Sequence, residues 1–206
     1  GAGPGIASGL SKLGRFGLKR PTVTIVGDST FYHAVIPGLI NGQYSGSDYL
    51  CVVLDNSVTA MTGHQPHPGS GISVYGRPVN AIKIEDIVRG LGIPCKIVDP
   101  YDNFLAAETI CAMVREPGIK VLIFRRECAL VAARKQRRKR RVYVDQSLCR
   151  GDACGCGRFC VSVWGCPGNI WDHKTGKANI DEAVCAGCGV CASLCPAGAI
   201  VVEEVE

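Results

Sequence analysis

Four short apolar runs punctuate the first 130 residues: TVTIV at 22–26, LCVVL at 50–54, IPCKIV at 93–98 and KVLIF at 120–124. Each is rich in β-branched or aliphatic side chains and ends near a turn signal, which predicts a strand. Between them, FYHAVIPGLING (31–42), KIEDIVRGLG (83–92) and NFLAAETICAMVRE (103–116) place apolar residues at helical spacing. Continuous apolar strands separated by helices predict an α/β unit on a parallel sheet covered on both faces. Pro37 falls inside the first of these helices, so that helix kinks there or begins near it.

The pattern breaks near residue 133. Arg134, Lys135, Arg137, Arg138, Lys139, Arg140 and Arg141 crowd into 134–141, and beyond them apolar residues thin out. The expected division is a first domain at 1–133, a basic linker at 134–141 and a small α+β domain at 142–206. So small a domain usually needs a staple. It also repeats internally: VYVDQSLC…CGRFC…GCPG and ANIDEAVC…CGVC…LCPAGAI share the order strand, cysteine cluster, Cys-Pro.

Composition narrows the class. The chain has 206 residues, 47% of them apolar, and 23 Lys and Arg against 18 Asp and Glu. Those figures exclude a disordered chain, a collagen and a coiled coil. Removing the seven cations of the basic run takes the net charge from +5 to −2, so this is a near-neutral protein with one basic patch. The run has no interleaved aromatics, which argues against a single-stranded nucleic-acid site. No apolar run approaches the roughly 18 residues of a membrane span. The opening GAGPGIASGL has no basic n-region, so no signal peptide is visible. The absent initiator Met reads as processing or as an excerpt of a longer chain.

Thirteen cysteines are present, and nine lie between Cys149 and Cys195. Cys51, Cys95, Cys111 and Cys128 sit among apolar residues and read as small hydrophobes. The second cluster, Cys185, Cys188, Cys191, Cys195 and Pro196, has the C-x2-C-x2-C-x3-C-P spacing of bacterial ferredoxins. Three close thiolates then bind one [4Fe–4S] cluster, and the cysteine before proline ligates the other. Zinc would more often use paired C-x2-C or a histidine. Gly187 and Gly189 let the backbone turn and aim amides at sulfur. The first cluster is irregular: Cys149, Cys154, Cys156, Cys160, Cys166, Pro167. Gly155-Cys156-Gly157 matches Gly187-Cys188-Gly189. On that alignment Cys149, Cys156, Cys160 and Cys195 hold one cluster, and Cys166, Cys185, Cys188 and Cys191 hold the other. Cys154 is left over, or replaces Cys156. One intact cluster beside a decayed site is the alternative.

The first domain carries its own chemistry. Gly27-Asp28-Ser29 lies between a predicted strand and a predicted helix, and Asp55-Asn56 follows the next strand. A diphosphate bound through a divalent cation needs oxygen ligands at the carboxyl ends of adjacent strands and a helix N-terminus for phosphate. Mg²⁺ takes few protein ligands, all oxygen. Asp28, Asn56 and the Val58 carbonyl suit that role. This arrangement resembles the diphosphate-binding motif of thiamine diphosphate enzymes. GDSTFYHAVIPGLING and VLDNSVTAMTGHQPHPG, with the ferredoxin-like tail, further resemble the alpha subunits of indolepyruvate:ferredoxin oxidoreductases, within the 2-oxoacid:ferredoxin oxidoreductase superfamily.

The resemblance implies oxidative decarboxylation of a 2-oxo acid, acyl capture by coenzyme A and electron transfer to ferredoxin or a similar acceptor. An aryl 2-oxo acid such as indolepyruvate is favoured by it. The implied cofactors are thiamine diphosphate, Mg²⁺ and two [4Fe–4S] clusters. Gly27, Asp28, Ser29 and Thr30 would face the diphosphate, Asp28, Asn56 and Val58 would hold Mg²⁺, and Thr59, Ala60, Met61 and Thr62 would run along the cofactor. His33 and His64 are the candidate catalytic histidines, with His67 a weaker third. The pyrimidine-binding domain must come from another chain or segment, and a gamma-type 2-oxoacid oxidoreductase subunit is a further expected partner. The basic run is a solvated linker, a steering patch for an acidic carrier or a contact for the phosphates of coenzyme A. Low-potential clusters suggest a cytoplasmic enzyme. Two other readings compete: an electron-transfer subunit with a docking α/β domain, and a thiamine carboligase or non-oxidative decarboxylase, which needs no electron wire.

Overall fold

The structure, a computed structural model, describes residues 1–17, 20–135 and 139–205. It divides into two units, Gly1–Cys128 and Ala129–Glu206. The first unit runs α1 (Gly3–Lys12), β1 (Val23–Gly27), α2 (Asp28–Thr30), α3 (Ile36–Tyr44), β2 (Tyr49–Asp55), α4 (Ile84–Gly90), β3 (Cys95–Val98), α5 (Asn103–Met113) and β4 (Ile119–Arg125). Its four strands form one sheet in the order β1-β2-β4-β3, every neighbouring pair parallel.

Alternation along the central strands explains the layers. Tyr49, Cys51 and Val53 of β2 and Ile119, Val121 and Ile123 of β4 pack with Ala7, Phe31, Val35, Leu39, Ile84 and Val88 from α1 and the helices around α3 and α4. Leu50, Val52 and Leu122 face the other way and pack with Val98 and Met113, against α5. Lys120 interrupts this apolar strand yet is 1% exposed. Its ammonium meets Asp48 Oδ1 at 2.7 Å and the Gly118 carbonyl at 2.9 Å, and also bonds the Glu116 carbonyl.

One feature meets the second of the two expectations for Pro37, and another departs from the sequence pattern. Phe31–Val35, between α2 and α3, is π-wound, and Pro37 lies in the first turn of α3. Proline has no N–H to give back to residue 33, so the helix winds wide there instead of kinking later. The helix α1 was not expected, because GPGIASGLSK is poor in helix formers. Close packing makes it: a Cβ on Gly3 would come within 2.3 Å of Thr24 Oγ1, so a larger residue there would have to push the Thr24 side chain aside for α1 to lie on β1.

The second unit runs α6 (Ala129–Lys135), β5 (Arg140–Val144), α7 (Phe159–Ser162), β6 (Asn169–Asp172), β7 (Lys177–Ile180), α8 (Val190–Leu194) and β8 (Ile200–Glu204). The repeats interlace: β5 pairs antiparallel with β8, and β6 with β7. The expected boundary at 133/134 moves to 128/129. The expected linker 134–141 is largely taken up by structure. Arg134 and Lys135 end α6, Arg140 and Arg141 open β5, and residues 136–138, including Arg137 and Arg138, lie outside the described residues. The physical reason is charge pairing. Arg140 and Arg141 stand opposite Glu204 and Glu203 across the ladder, and Arg141 also binds Glu182 at 2.7 Å.

Candidate functional site: a carboxylate cradle and two thiol sets

The parallel sheet brings the ends of β1 and β2 side by side, and Asp28 ties them together. Its Oδ1 accepts the Ser29 N–H at 2.7 Å and its Oδ2 accepts the Asn56 N–H at 3.0 Å. Asn56 Oδ1 accepts the Val58 N–H at 3.1 Å, around a left-handed Ser57 with φ 65°. Asp28, Asn56 and Val58 are thereby joined in one backbone-held turn. A carboxylate offers about four acceptor positions, and backbone amides fill two of them.

Behind this turn stands an ion-pair group that the sequence did not announce. Arg125, the last residue of β4, donates from Nε to Asp55 Oδ2 at 2.7 Å and from its two terminal nitrogens to both Glu85 oxygens at 3.0 and 2.6 Å. Hydrogen bonds from Arg125 hold the Glu85 carboxyl below its ordinary range. Burial, then Asp55, Asp28 and Glu85, push the Tyr32 phenol up to about 12. The Arg126 and Cys128 N–H groups bond the Asp55 and Asn56 carbonyls, so β4 braces the whole turn.

Arg125→Met leaves Asp55 and Glu85 facing each other with side chains 11% and 9% exposed. With Arg125 itself about a third in water, the expected loss is about 2 kcal/mol near neutral pH. The depressed Glu85 carboxyl contributes stability above the ordinary value of 4.5, lost as pH falls through its lower folded value. The gap between wild type and variant therefore narrows on acidification. Urea midpoints of both proteins at about pH 7 and about pH 4 test this; a gap that stays constant refutes it.

The cradle fits a divalent cation on the chemistry of its donors. Asp28 is 3% exposed, and among the described residues no Arg or Lys pairs with it. Asp55 and Glu85 share the guanidinium of Arg125, with Lys83 also acting on Glu85, while Asp28, among the described residues, has only the His67 ring beside it. An anion so buried needs a counter-charge, and oxygen donors on Asp28, Asn56 and Val58 suit Mg²⁺. Gly27 lies open in front of them: a Cβ there would meet nothing within 4 Å, so a molecule can lie against its backbone. Ser29 and Thr30 follow in α2.

The other expected residues are less closely gathered. Thr59 pairs with Gln65 in an isolated antiparallel bridge, which closes a small loop over Ala60 to His64. Met61 at its tip is fully exposed, and Thr62 bonds Gln65 through its hydroxyl at 2.6 Å. His33 is exposed with Nδ1 against the Ser29 carbonyl at 2.7 Å. His64 has a left-handed backbone (φ 64°) and an enclosed Nε2 with no hydrogen bond. His67, the weakest sequence candidate of the three, stands nearest the cradle: its Nε2 is 3.1 Å from Asp28 Oδ2.

The second unit gathers its thiols across the repeats. Cys149, Cys156 and Cys195 are neighbours of Cys160, while Cys166, Cys185 and Cys188 are those of Cys191. Cys149, Cys154, Cys156, Cys160 and Cys195 line one cavity with Trp171 and Ala199. Among the described residues no three His, Cys, Asp or Glu side chains converge on a single-ion site. A cubane asks for a different arrangement, four thiolates each on its own iron. Burial, then the neighbouring thiols, push Cys191 up to about 12, so that thiol ionises near neutral pH only against a metal. Amides already point at sulfur: Gly187 N–H lies 3.4 Å from Cys185 Sγ, and Ala199 N–H 3.3 Å from Cys195 Sγ.

The repeat explains the gathering. Asp145 and Asp181 each follow a strand, accept an N–H two residues on, and accept the amide of Cys149 or Cys185 on the main-chain carbonyl. Cys195 lies just before β8, whose partner β5 leads to Cys149, and Cys166 lies just before β6, whose partner β7 leads to Cys185. Each proline-linked cysteine therefore arrives beside the opposite repeat.

Comparison with known proteins agrees with both units. Residues 1–124 match the family model "Thiamine pyrophosphate enzyme, C-terminal TPP binding domain", and residues 178–201 match "4Fe-4S binding domain". The chain is 39% identical over 201 residues to the indolepyruvate oxidoreductase subunit IorA of Archaeoglobus fulgidus, covering 97% of this chain and 31% of that one. It is 41% identical over 182 residues to the same subunit of Pyrococcus horikoshii, covering 88% and 28%. The chain thus spans about three tenths of the length of these relatives. Its tail is 38% identical over 65 residues to an uncharacterized ferredoxin of Methanocaldococcus jannaschii, covering 30% of this chain and 94% of that one. No helix among the described residues is long and apolar enough to cross a membrane.

Proposed function

The chain belongs to the thiamine pyrophosphate enzymes, by the domain that fills residues 1–124, and we propose that it works within a 2-oxoacid:ferredoxin oxidoreductase. The reaction is oxidative decarboxylation of a 2-oxo acid to acyl-coenzyme A and CO₂, with electrons leaving through iron–sulfur clusters to a ferredoxin or similar carrier. An aryl 2-oxo acid such as indolepyruvate is the substrate favoured by the named relatives.

The observation that carries this reading is the pairing of two devices in one chain. Asp28 and Asn56 form an anionic cradle at the strand ends, and nine thiols gather in two groups, five lining one cavity and four about Cys191. A non-oxidative decarboxylase or carboligase has no use for the second device, and a docking domain has no use for the first.

Thiamine diphosphate, when bound, supplies a carbon nucleophile and an electron sink for the loss of CO₂. The chain's own residues do the holding. Asp28 Oδ1, Asn56 Oδ1 and the Val58 carbonyl would bind Mg²⁺, and the backbone of Gly27, Ser29 and Thr30 would receive the phosphates. Thr59 to Thr62 would flank the cofactor. His33 and His64 would be the candidates to move a proton: His33 has Nδ1 against the Ser29 carbonyl, and His64 has an enclosed Nε2 with no hydrogen bond among the described residues. Cys149, Cys156, Cys160 and Cys195 would hold one [4Fe–4S] cluster, with Cys154 a spare thiol at the same cavity, and Cys166, Cys185, Cys188 and Cys191 the other. A pyrimidine-binding domain from another chain or segment, and a gamma-type subunit, complete the enzyme. The site is cytoplasmic and acts on small molecules, not nucleic acid or membrane.

The test is cofactor content. The assembled protein, purified without oxygen, is expected to carry one thiamine diphosphate and about eight irons per chain. Stoichiometric iron with no thiamine, even after incubation with Mg²⁺ and the cofactor, would leave a pure electron-transfer subunit as the better account.

A further inference from the structure

His67 sits deep in the first unit with no assigned task. Its side chain is 3% exposed, and that of Asp28 beside it is 4% exposed. Two neighbours fix the ring. Tyr32 stacks on it at 5.5 Å with an interplanar angle of 28°. The Gly69 N–H donates to Nδ1 at 3.1 Å. Gly69 itself is pressed against the pair: a Cβ there would come within 2.3 Å of the Tyr32 hydroxyl and 3.1 Å of His67 Cε1.

The Gly69 bond decides the tautomer. A nitrogen that accepts an N–H carries no proton, so in the neutral ring the proton is on Nε2. That atom lies 3.1 Å from Asp28 Oδ2 but makes no hydrogen bond of good geometry, and it is buried from water. A buried N–H donor held this close to a carboxylate and not yet aligned with it is a donor waiting on a small carboxylate rotation. Oδ2 already accepts the Asn56 N–H, while Oδ1 accepts only the Ser29 N–H. With His67 also on Oδ2, the acceptor position left free is on Oδ1.

We infer that His67 is a positioning residue: its Nε2–H holds Asp28 Oδ2 and so presents Oδ1 to the divalent cation that carries the diphosphate. This rests on the cation-site reading above. Donors behind a metal-bound ligand orient it, and their loss typically costs about 10–100-fold in metal affinity.

The assembled protein, stripped of divalent ions and supplied with thiamine diphosphate, is titrated with Mn²⁺, whose free-ion EPR signal falls on binding. His67→Phe keeps a ring against Tyr32 and removes the donor. His67→Gln restores an N–H near the place of Nε2, and both variants lose the acceptor for Gly69, so their difference isolates the donor. The expected result is Mn²⁺ affinity weakened at least tenfold in His67→Phe and within about threefold of wild type in His67→Gln. Thermal midpoints of both variants close to wild type show that the unit is folded. Equal affinity in all three proteins overturns the inference, as does equal weakening in both variants, which assigns His67 to shape alone. If wild type binds no Mn²⁺ with the cofactor, the cation-site reading fails and takes this inference with it.

Discussion

Asp28→Asn abolishes Mg²⁺-dependent binding of thiamine diphosphate and lowers turnover by about 10³-fold or more, equivalent to about 4 kcal/mol. The substitution keeps the shape and removes the charge. It also turns one acceptor into a donor. Asp28 receives the Ser29 amide on one oxygen and the Asn56 amide on the other. Asn can receive only one of them, and its NH₂ then faces the other N–H, an unmade buried bond costing about 1–3 kcal/mol. The turn that carries Asn56 and Val58 is thus loosened in the same step that removes the anionic cation ligand. Isothermal titration with Mg²⁺ and thiamine diphosphate, run beside an activity assay, reads both effects. An Asn variant that binds the cofactor as wild type does would remove Asp28 from the site.

Cys166→Ala and Cys191→Ala give one and the same cluster phenotype, and Cys195→Ala and Cys160→Ala give the other. Each variant loses one cluster, or leaves it as a three-iron form, so iron falls from about eight toward about four per chain. The pairing of phenotypes is the informative part, because it crosses the order of the sequence. Cys166 lies six residues from Cys160 and nineteen from Cys185, yet it stands with Cys185, Cys188 and Cys191. Cys195 stands with Cys160. The interlaced ladders, β5 with β8 and β6 with β7, enforce this exchange. Dithionite-reduced EPR spectra of the four variants sort them. If Cys166→Ala matches Cys160→Ala instead, each run holds its own cluster and the crossed assignment is wrong.

Much of this was legible in the residues themselves. The apolar runs at 50–54 and 120–124 became β2 and β4 because central parallel strands are buried on both faces and need continuous apolar character. The cysteine spacing was informative for a similar reason: a cubane fixes where thiolates must fall along the chain. Asp28 and Asn56 were visible because their place after strands is a local property. What stayed hidden depends on distance along the chain. Arg125 meets Glu85 across 40 positions and Asp55 across 70, and no periodicity encodes such a partner. Lys120, the one charged residue of the run KVLIF, is fully enclosed because Asp48 and two carbonyls answer its charge, and nothing local to the run announces them. The helix α1 is written in small residues, which signal close packing only once the surface beneath them is known. The basic run read as a linker because its partners, Glu203 and Glu204, lie some sixty residues away.

The central claim is that chemistry in the first unit delivers electrons to the thiols' clusters in the second. Anaerobic EPR on the assembled protein, holding thiamine diphosphate and Mg²⁺, tests it before and after addition of a 2-oxo acid with coenzyme A. The account predicts reduced [4Fe–4S] signals that appear only when both substrates are present, with indolepyruvate, phenylpyruvate and pyruvate compared to rank the acid. Clusters that dithionite reduces but none of these acids does, in a sample with stoichiometric thiamine diphosphate, would contradict it.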